Sequence, residues 1–310
     1  MNSRGDSLRA IWRLGLAAAA MALAACDAVN EAIDEIDDIG NDAEVFYYLS
    51  LGDSLAVGVQ PNGVGAALPT DDGYTDQLFD LIRPAFEAAG QNRELRLVKL
   101  GCPGATVDDM LNGGGCVYVA GSQLAAAVDF LEDNGNKVVL VTIDIGGNDF
   151  RDENCVESAT PVDCATTVST QISNDLAAVL SALQAVADPA TTIAGMNYYN
   201  PYLAAWLEGE EGQALAMQSA QAVAVLNDYL VNTYTSAGAT LADVAAAFES
   251  DDFGTLVPSS QPPPNNLLPK NVNNICEFTY MCDPDPVGPD IHANTAGYAL
   301  IATTFEAVLP

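Results

Sequence analysis

The sequence predicts an α/β fold in which a parallel sheet is covered by helices on both faces. Short apolar runs typical of buried strands alternate with longer amphipathic segments typical of helices, and this alternation begins near Val45. The chain has 310 residues, 49% of them hydrophobic, which is enough for one such domain with a sizeable core. No internal repeat is visible, and a single folded domain over residues 45–310 is expected.

The predicted elements follow from the period of the apolar residues. Strands are expected at 45–51, 95–100, 138–145 and 191–198, with a weaker one at 239–244. Helices are expected at 74–89, 120–133, 163–187, 209–236 and 294–308. The proline-rich stretch 254–272 has no period of its own and is expected to be a long loop. Loops of that length usually serve an active site or a partner.

Residues 1–25 have the features of an export signal. Three arginines precede a short apolar run, Leu14 to Ala25, and that run is shorter than the roughly 20 residues needed to span a bilayer. It ends in Leu-Ala-Ala-Cys at Cys26, which resembles the lipobox of bacterial lipoproteins. The resemblance implies cleavage before Cys26 and lipidation of Cys26, so the protein is expected to be exported and lipid-anchored to the cell envelope. The alternative is a plain secretory signal followed by a coincidental cysteine.

The segment 26–44 is rich in acidic residues, has no basic residue and is expected to be a tether between the anchor and the domain. The whole chain is also strongly acidic, with a formal net charge of -32. Nucleic acid is therefore excluded as a partner, since its phosphates require Lys and Arg. An anionic membrane surface would repel the domain, so contact with a membrane is expected only through the Cys26 anchor. We interpret the charge as a solvated acidic surface that favours solubility.

The six cysteines other than Cys26 lie as near neighbours in the sequence. Six cysteines allow 15 connectivities, and the sequence alone does not choose among them. Local pairing is the simplest hypothesis and predicts three disulfides in an oxidising compartment: Cys102–Cys116, Cys155–Cys164 and Cys276–Cys282. A metal site is not favoured, because the chain has no Cys-x-x-Cys and only one histidine.

The first candidate functional residue is Ser54, which follows the aromatic strand that ends at Gly52. If a short helix follows, Ser54 lies at its N-terminus, beside unpaired N–H groups and a positive dipole end. A serine there is suited to nucleophilic attack. The structural alternative is an ordinary strand-loop with Asp53 or Ser54 as an N-cap.

Two further stretches follow the next two strands. Gly104, in Gly-Cys-Pro-Gly, has a backbone N–H that is a candidate oxyanion donor, although a plain turn is an equal alternative. Asn148, in Gly-Gly-Asn-Asp, carries a side-chain amide that can donate to a developing oxyanion, although such a sequence is also typical of a turn.

The fourth stretch holds His292, the only histidine of the chain, just before the last predicted helix. A lone histidine is more often structural than catalytic. Asp290, two residues earlier, could however bind the second ring nitrogen and stabilise the imidazolium, as a catalytic histidine requires.

Taken in order, the four stretches resemble the SGNH hydrolases, also called the GDSL esterase and lipase family. The four blocks of that family correspond to Ser54, Gly104, Asn148 and His292. The resemblance implies a flavodoxin-like α/β/α sandwich with five parallel strands, and ester hydrolysis through an acyl-enzyme. The three expected disulfides and the long loop are most similar to its secreted actinobacterial branch.

Two positions depart from the family pattern. The acid usually stands three residues before the histidine, where this chain has Pro289, so Asp290 is one residue closer than expected. The backbone carbonyl of Pro289 could support the histidine instead. The residue after the histidine is often proline, and here it is Ala293.

The resulting prediction is a carboxylic ester hydrolase, with Ser54 as nucleophile, His292 as general base and Asp290 as supporting acid. The N–H groups of Ser54 and Gly104 and the amide of Asn148 form its oxyanion hole. The chain has no Gly-x-Ser-x-Gly, which argues against the α/β-hydrolase fold. Neither a metal nor an organic cofactor is expected, and the chain is expected to be a monomer that acts on a small-molecule or lipid ester. A carbohydrate O-acetyl esterase and a non-catalytic surface-binding lipoprotein on the same fold remain the alternatives.

Overall fold

The computed structural model describes residues 43–90, 92–262 and 264–310. The predicted signal peptide, Cys26 and the tether up to residue 42 lie outside these residues. Within the part of the chain that the structure describes, no helix is both long enough and apolar enough to cross a membrane.

The sheet is parallel throughout, as predicted. The strands among the described residues are Glu44–Gly52 (β1), Gln60–Pro61 (β2), Ala67–Leu68 (β3), Arg93–Lys99 (β4), Val138–Asp144 (β5), Thr192–Met196 (β6), Thr240–Ala242 (β7), Leu256–Pro258 (β8) and Leu267–Pro269 (β9). Five of them pair in the order β4-β1-β5-β6-β7, each pair parallel. The predicted strands therefore all exist, with ends that differ by at most two residues, and β1 begins one residue before the predicted domain start.

Helices connect the strands and cover the sheet. In the described ranges the α-helices are Ser54–Val57 (α1), Tyr74–Ala88 (α2), Val107–Asn112 (α3), Gln123–Asn134 (α4), Gly147–Asp152 (α5), Pro161–Val186 (α6), Glu210–Ser236 (α7), Val244–Ala247 (α8), Lys270–Phe278 (α9) and Thr295–Glu306 (α10). Helix α2 packs on α10, with the rings of Tyr74 and Phe305 stacked 5.1 Å apart. Helix α6 packs on both α4 and α7. This is the α/β/α arrangement that the sequence predicts.

The stretch 254–272 corrects one prediction, because it is not a loop throughout. Strand β8 pairs with β9 in an antiparallel ribbon, and α9 begins at Lys270. Pro258 and Pro269 lie at the ends of this two-stranded ribbon, where a missing N–H costs little. Each of these strands has only three residues, which is too few to leave an apolar period in the sequence, although Leu268 of β9 is buried.

The three predicted disulfides are all formed: Cys102–Cys116, Cys155–Cys164 and Cys276–Cys282. The first holds the turn after β4, and the second lies at the first turn of α6. The third joins the end of α9 to the segment that leads to His292. Two of the three bridges therefore brace the loops that carry Gly104 and His292.

Candidate active site

Ser54 lies at the carboxyl edge of the sheet, as the sequence predicts. The last six residues of β1 are buried, and α1 starts directly after the strand with Asp53 as its N-cap. The Asp53 carboxylate accepts a hydrogen bond of 2.9 Å from the N–H of Leu55. Ser54 is the first residue of the helix and is half-buried, with its Oγ 3.5 Å from Asp53 Oδ1. The predicted nucleophile position and the N-cap alternative therefore occur together, one residue apart.

His292 is held by the acid that is one residue closer than the family pattern. Asp290 Oδ1 lies 2.6 Å from His292 Nδ1 and also accepts a hydrogen bond of 2.9 Å from the His292 backbone N–H. The Asp290 carboxylate thus reaches the imidazole despite the short spacing. Because Nδ1 contacts the carboxylate, Nε2 is the ring nitrogen left to face a substrate.

The contact with His292 favours the ionised form of the Asp290 carboxyl group. Burial alone would raise the pKa of Asp290, but the hydrogen bonds from the His292 ring and backbone, and the charge of the ring, outweigh it and lower the pKa below its ordinary value. The loop itself is fixed by two neighbours: the Asp290 N–H donates to Tyr280 O at 3.1 Å, and the Tyr199 hydroxyl donates to Ile291 O at 2.7 Å.

Asn148 is buried in the first turn of α5, directly after β5. Its side-chain nitrogen donates to the carbonyl of Ala105 at 3.0 Å and to Asp53 Oδ2 at 3.3 Å. These contacts join the stretches that contain Gly104, Asn148 and Ser54.

Gly104 lies in an exposed turn, with the Ala105 N–H donating to Cys102 O at 3.1 Å. Its φ of +81° is the left-handed conformation that favours glycine. Of the residues predicted for the site, Ser54, Asn148 and His292 border one cavity, while Gly104 is outside the lining. An oxyanion role for Gly104 stays a prediction.

The cavity holds about 620 Å³ of space, part of it open to solvent. Its wall is mostly aromatic and aliphatic, formed by Leu55, Phe150, Tyr198, Tyr199, Pro201, Tyr202, Val223, Leu226 and Ile291. Arg151 also borders it and is paired with the adjacent Asp152 at 3.1 Å. An apolar cavity with a serine and a histidine at its wall is suited to an apolar group attached to a reactive carbonyl.

Two buried residues near Ser54, Asp144 and Tyr198, are not among the site residues that the sequence predicts. Asp144, at the end of β5, accepts a hydrogen bond of 2.6 Å from the Tyr74 hydroxyl, and the Tyr198 hydroxyl donates to Asp53 Oδ2 at 3.3 Å. Burial raises the pKa of both Asp53 and Asp144. The only signal for Asp144 in the sequence is an acidic residue inside an apolar strand, which by itself indicates no partner.

Metal chemistry was not predicted for this site. Among the described residues, no group of three or more His, Cys, Asp or Glu side chains could hold a metal ion.

The comparison with protein families agrees with the motif order. The model of the GDSL-like lipase/acylhydrolase family matches residues 50–300, which contain all four candidate stretches. A comparison with curated proteins gives no match.

Two solved structures show the same fold at low sequence identity. The extracellular lipase from Streptomyces rimosus is 18% identical, with a TM-score of 0.50 over 85% of this chain and 100% of that one. The lipase Lip_vut3 from a goat rumen metagenome is 15% identical, with a TM-score of 0.51 over 85% of this chain and 97% of that one. The family match covers most of the folded domain, and the chain therefore belongs to the GDSL-like lipase/acylhydrolase family and is a carboxylic ester hydrolase.

Proposed function

We propose that the chain is a serine esterase of the lipase type that works through an acyl-enzyme on Ser54. The observation that carries this proposal is the contact between Asp290 and His292, on a loop that borders the same cavity as Ser54. Nε2 of His292 takes the proton from the Ser54 hydroxyl as its oxygen attacks the ester carbonyl. The same nitrogen then gives that proton to the departing alcohol, and a water molecule repeats the sequence to release the acid.

The negative charge on the carbonyl oxygen needs hydrogen-bond donors during both steps. We assign this role to the N–H groups of Ser54 and Gly104 and to the side-chain amide of Asn148. The Asn148 N–H that faces Asp53 makes the longer of its two contacts, 3.3 Å, and is the one that can turn to an oxyanion at least cost.

The cavity wall favours an acyl chain larger than acetyl. An acetyl group would leave most of the aromatic and aliphatic wall without a partner, whereas a longer chain would be removed from water by it. Carbohydrate O-acetyl esters are the competing substrate class, and they differ from lipase substrates in the size of the acyl group.

The test is a series of 4-nitrophenyl esters from acetate to palmitate, measured with the wild type and Ser54→Ala. We expect kcat/KM to peak above acetate and to be lost in Ser54→Ala, and a fluorophosphonate probe to label Ser54. A peak at acetate would favour deacetylation. A folded wild type that neither hydrolyses any ester nor reacts with the probe would favour the non-catalytic binding protein.

We also propose that the mature protein starts at Cys26 and is held to the cell envelope by lipid on that residue. The three disulfides support export, because such bridges persist in oxidising compartments. Expression of Cys26→Ser should move the protein from the membrane fraction to the soluble exported fraction with unchanged esterase activity. A wild type without lipid on Cys26 by mass spectrometry would refute the anchor.

A further inference from the structure

Asp144 is fully buried at the end of β5, and the reaction proposed above gives it no role. Its Oδ2 accepts a hydrogen bond from the Ala56 N–H at 3.2 Å and a longer one from the Asp53 N–H at 3.3 Å. Its backbone carbonyl accepts from the same Asp53 N–H at 3.1 Å. One residue therefore holds the backbone on both sides of Ser54.

The far side of the Asp144 carboxyl group is fixed as well. Its Oδ1 accepts the hydrogen bond from the Tyr74 hydroxyl, whose ring is buried between α2 and α10. On the strand beside it, a Cβ on Gly52 would lie 2.4 Å from Oδ1. Glycine at position 52 is thus what lets the carboxyl group approach the start of α1 so closely.

Asp144 also shares its surroundings with the second buried acid, Asp53, and the charge of Asp53 raises the pKa of Asp144. Asp53 has donors of its own from Leu55, Asn148 and Tyr198, which suit a carboxylate. Two neighbouring buried carboxyl groups oppose each other's ionisation, so one of them keeps a proton. The charge of the His292 ring favours the ionised form of Asp53, and the charge of Asp53 then opposes ionisation of Asp144, so we assign the proton to Asp144. Burial and the charge of Asp53 together keep the pKa of Asp144 well above its ordinary value.

We propose that Asp144 is a positioning residue for the nucleophile: its protonated carboxyl group holds α1 against β5 and so fixes Ser54 relative to His292. This inference rests on the function proposed above. Asp144 does not border the cavity and so does not touch the substrate. Loss of the Asp144 carboxyl group should therefore lower kcat and leave KM nearly unchanged, because a displaced nucleophile slows the chemical step without removing a contact that binds the substrate.

The test compares Asp144→Asn with Asp144→Ala in steady-state hydrolysis of the best nitrophenyl ester, each over a range of pH. An asparagine is neutral and nearly isosteric: its amide oxygen can accept from the backbone N–H groups in place of Oδ2, and its nitrogen can donate to the Tyr74 hydroxyl. We expect kcat for Asp144→Asn within about 3-fold of the wild type, with an unchanged pH profile. For Asp144→Ala we expect kcat lowered by roughly 10- to 100-fold at nearly constant KM, since small displacements of reacting groups have effects of this size.

Tyr74→Phe removes only the hydroxyl that donates to Asp144 Oδ1. It therefore tests the positioning role of Asp144 if the alanine variant does not fold. It should lower kcat by about 3- to 10-fold at constant KM. The control is Tyr234→Phe, which loses a buried hydroxyl whose hydrogen bond goes to Ile143 O and not to Asp144. It should keep the wild-type kcat.

Equal losses in Asp144→Asn and Asp144→Ala would mean that an ionised carboxylate is needed, and would overturn the proposal. A wild-type kcat in both Tyr74→Phe and a folded Asp144→Ala would also overturn the proposal. A wild type without esterase activity or labelling of Ser54 would instead contradict the proposed function.

Discussion

His292 depends on one carboxylate, and that carboxylate comes from its own loop. The chain has a single histidine, so no other imidazole can replace it. Asp290 holds Nδ1 and the backbone N–H of His292 with the same oxygen, which fixes both the ring orientation and the tautomer. The spacing of two residues works because Asp290 forms an Asx-turn, in which its side-chain oxygen reaches forward to the N–H two residues later.

We expect Asp290→Ala to lower kcat by roughly 10²- to 10⁴-fold, since the imidazolium that forms during attack would lose its partner. Steady-state kinetics on the best nitrophenyl ester, with circular dichroism to confirm folding, measure this. Asp285→Ala, in the same segment but away from His292, is the control. A loss of less than 3-fold would indicate that the Pro289 carbonyl supports the ring instead.

Asn148 should matter for the transition state more than for folding. We expect Asn148→Ala to lower kcat by about 100- to 1000-fold, as the removal of an oxyanion donor typically does. Labelling of Ser54 by a fluorophosphonate should still occur, only more slowly. If the rate stays within a few-fold of the wild type, the oxyanion assignment is wrong and the amide only connects Ala105 with Asp53.

At the residue scale, the sequence indicates candidate residues at the ends of strands or helices, but it does not indicate the buried residues that contact them. Ser54, Asn148 and His292 are marked by short motifs next to strands or helices. Asp144 and Tyr74 meet across 70 positions of sequence, and Tyr198 meets Asp53 across 145. No local pattern encodes such pairs, because they form only when β1, β5 and β6 lie side by side and α2 packs on the sheet.

At the element scale, the short helices α3 and α5 stabilise each other through Asp149. This carboxylate lies in the first turn of α5 and accepts from the Val107 N–H at the start of α3, at 3.1 and 3.2 Å. Burial is the largest influence on it and raises the pKa of Asp149 to about 6. Neither helix is predicted from the sequence, since each has only six residues and depends on such partners.

The raised pKa of Asp149 predicts a dependence of stability on pH. The folded state holds a proton on Asp149 that the unfolded state, at its ordinary value of 3.8, releases earlier. The contribution of this proton to the free energy of unfolding is therefore fully present below about pH 4 and is lost as the pH rises through about 6. Relative to the wild type, the Tm of Asp149→Asn should rise by about 2–6 °C between pH 4 and 7, measured by calorimetry at constant ionic strength.

Asp108→Asn, an exposed acid on α3, is the control and should show no such change. A pH-independent difference between Asp149→Asn and the wild type would refute the assignment of the proton to Asp149.

The long elements were predictable for a different reason than the short ones. Helices such as α2 bury one face, which leaves a period in the sequence, and central strands such as β5 bury nearly every residue, which leaves a continuous apolar run. Helix α9 is different, because three of its nine residues are asparagines, which are poor helix formers. Asn271 and Asn274 instead donate to carbonyls of Ser250 and Phe248, and such tertiary contacts cannot be read from a local pattern.

At the scale of the whole molecule, the acidic surface opposes folding while the core favours it. A formal net charge of -32 means that acidic side chains repel one another in the compact state more than in the expanded chain. The ion pairs that offset this repulsion, such as Arg96–Glu94 and Lys270–Glu249, are partly exposed. Exposed pairs contribute only about 0–1 kcal/mol each.

Salt should therefore stabilise this protein. Raising NaCl from 20 mM to 500 mM at pH 7 shortens the screening length and weakens the many repulsions more than the few attractions. We expect the Tm to rise by at least about 3 °C in calorimetry. The same change at pH 5, nearer to the isoelectric point of about 4.1, should have a smaller effect, because fewer carboxylates are ionised there. A Tm that falls with NaCl at pH 7 would mean that the ion pairs outweigh the repulsion, and the acidic surface would then need a reason other than solubility.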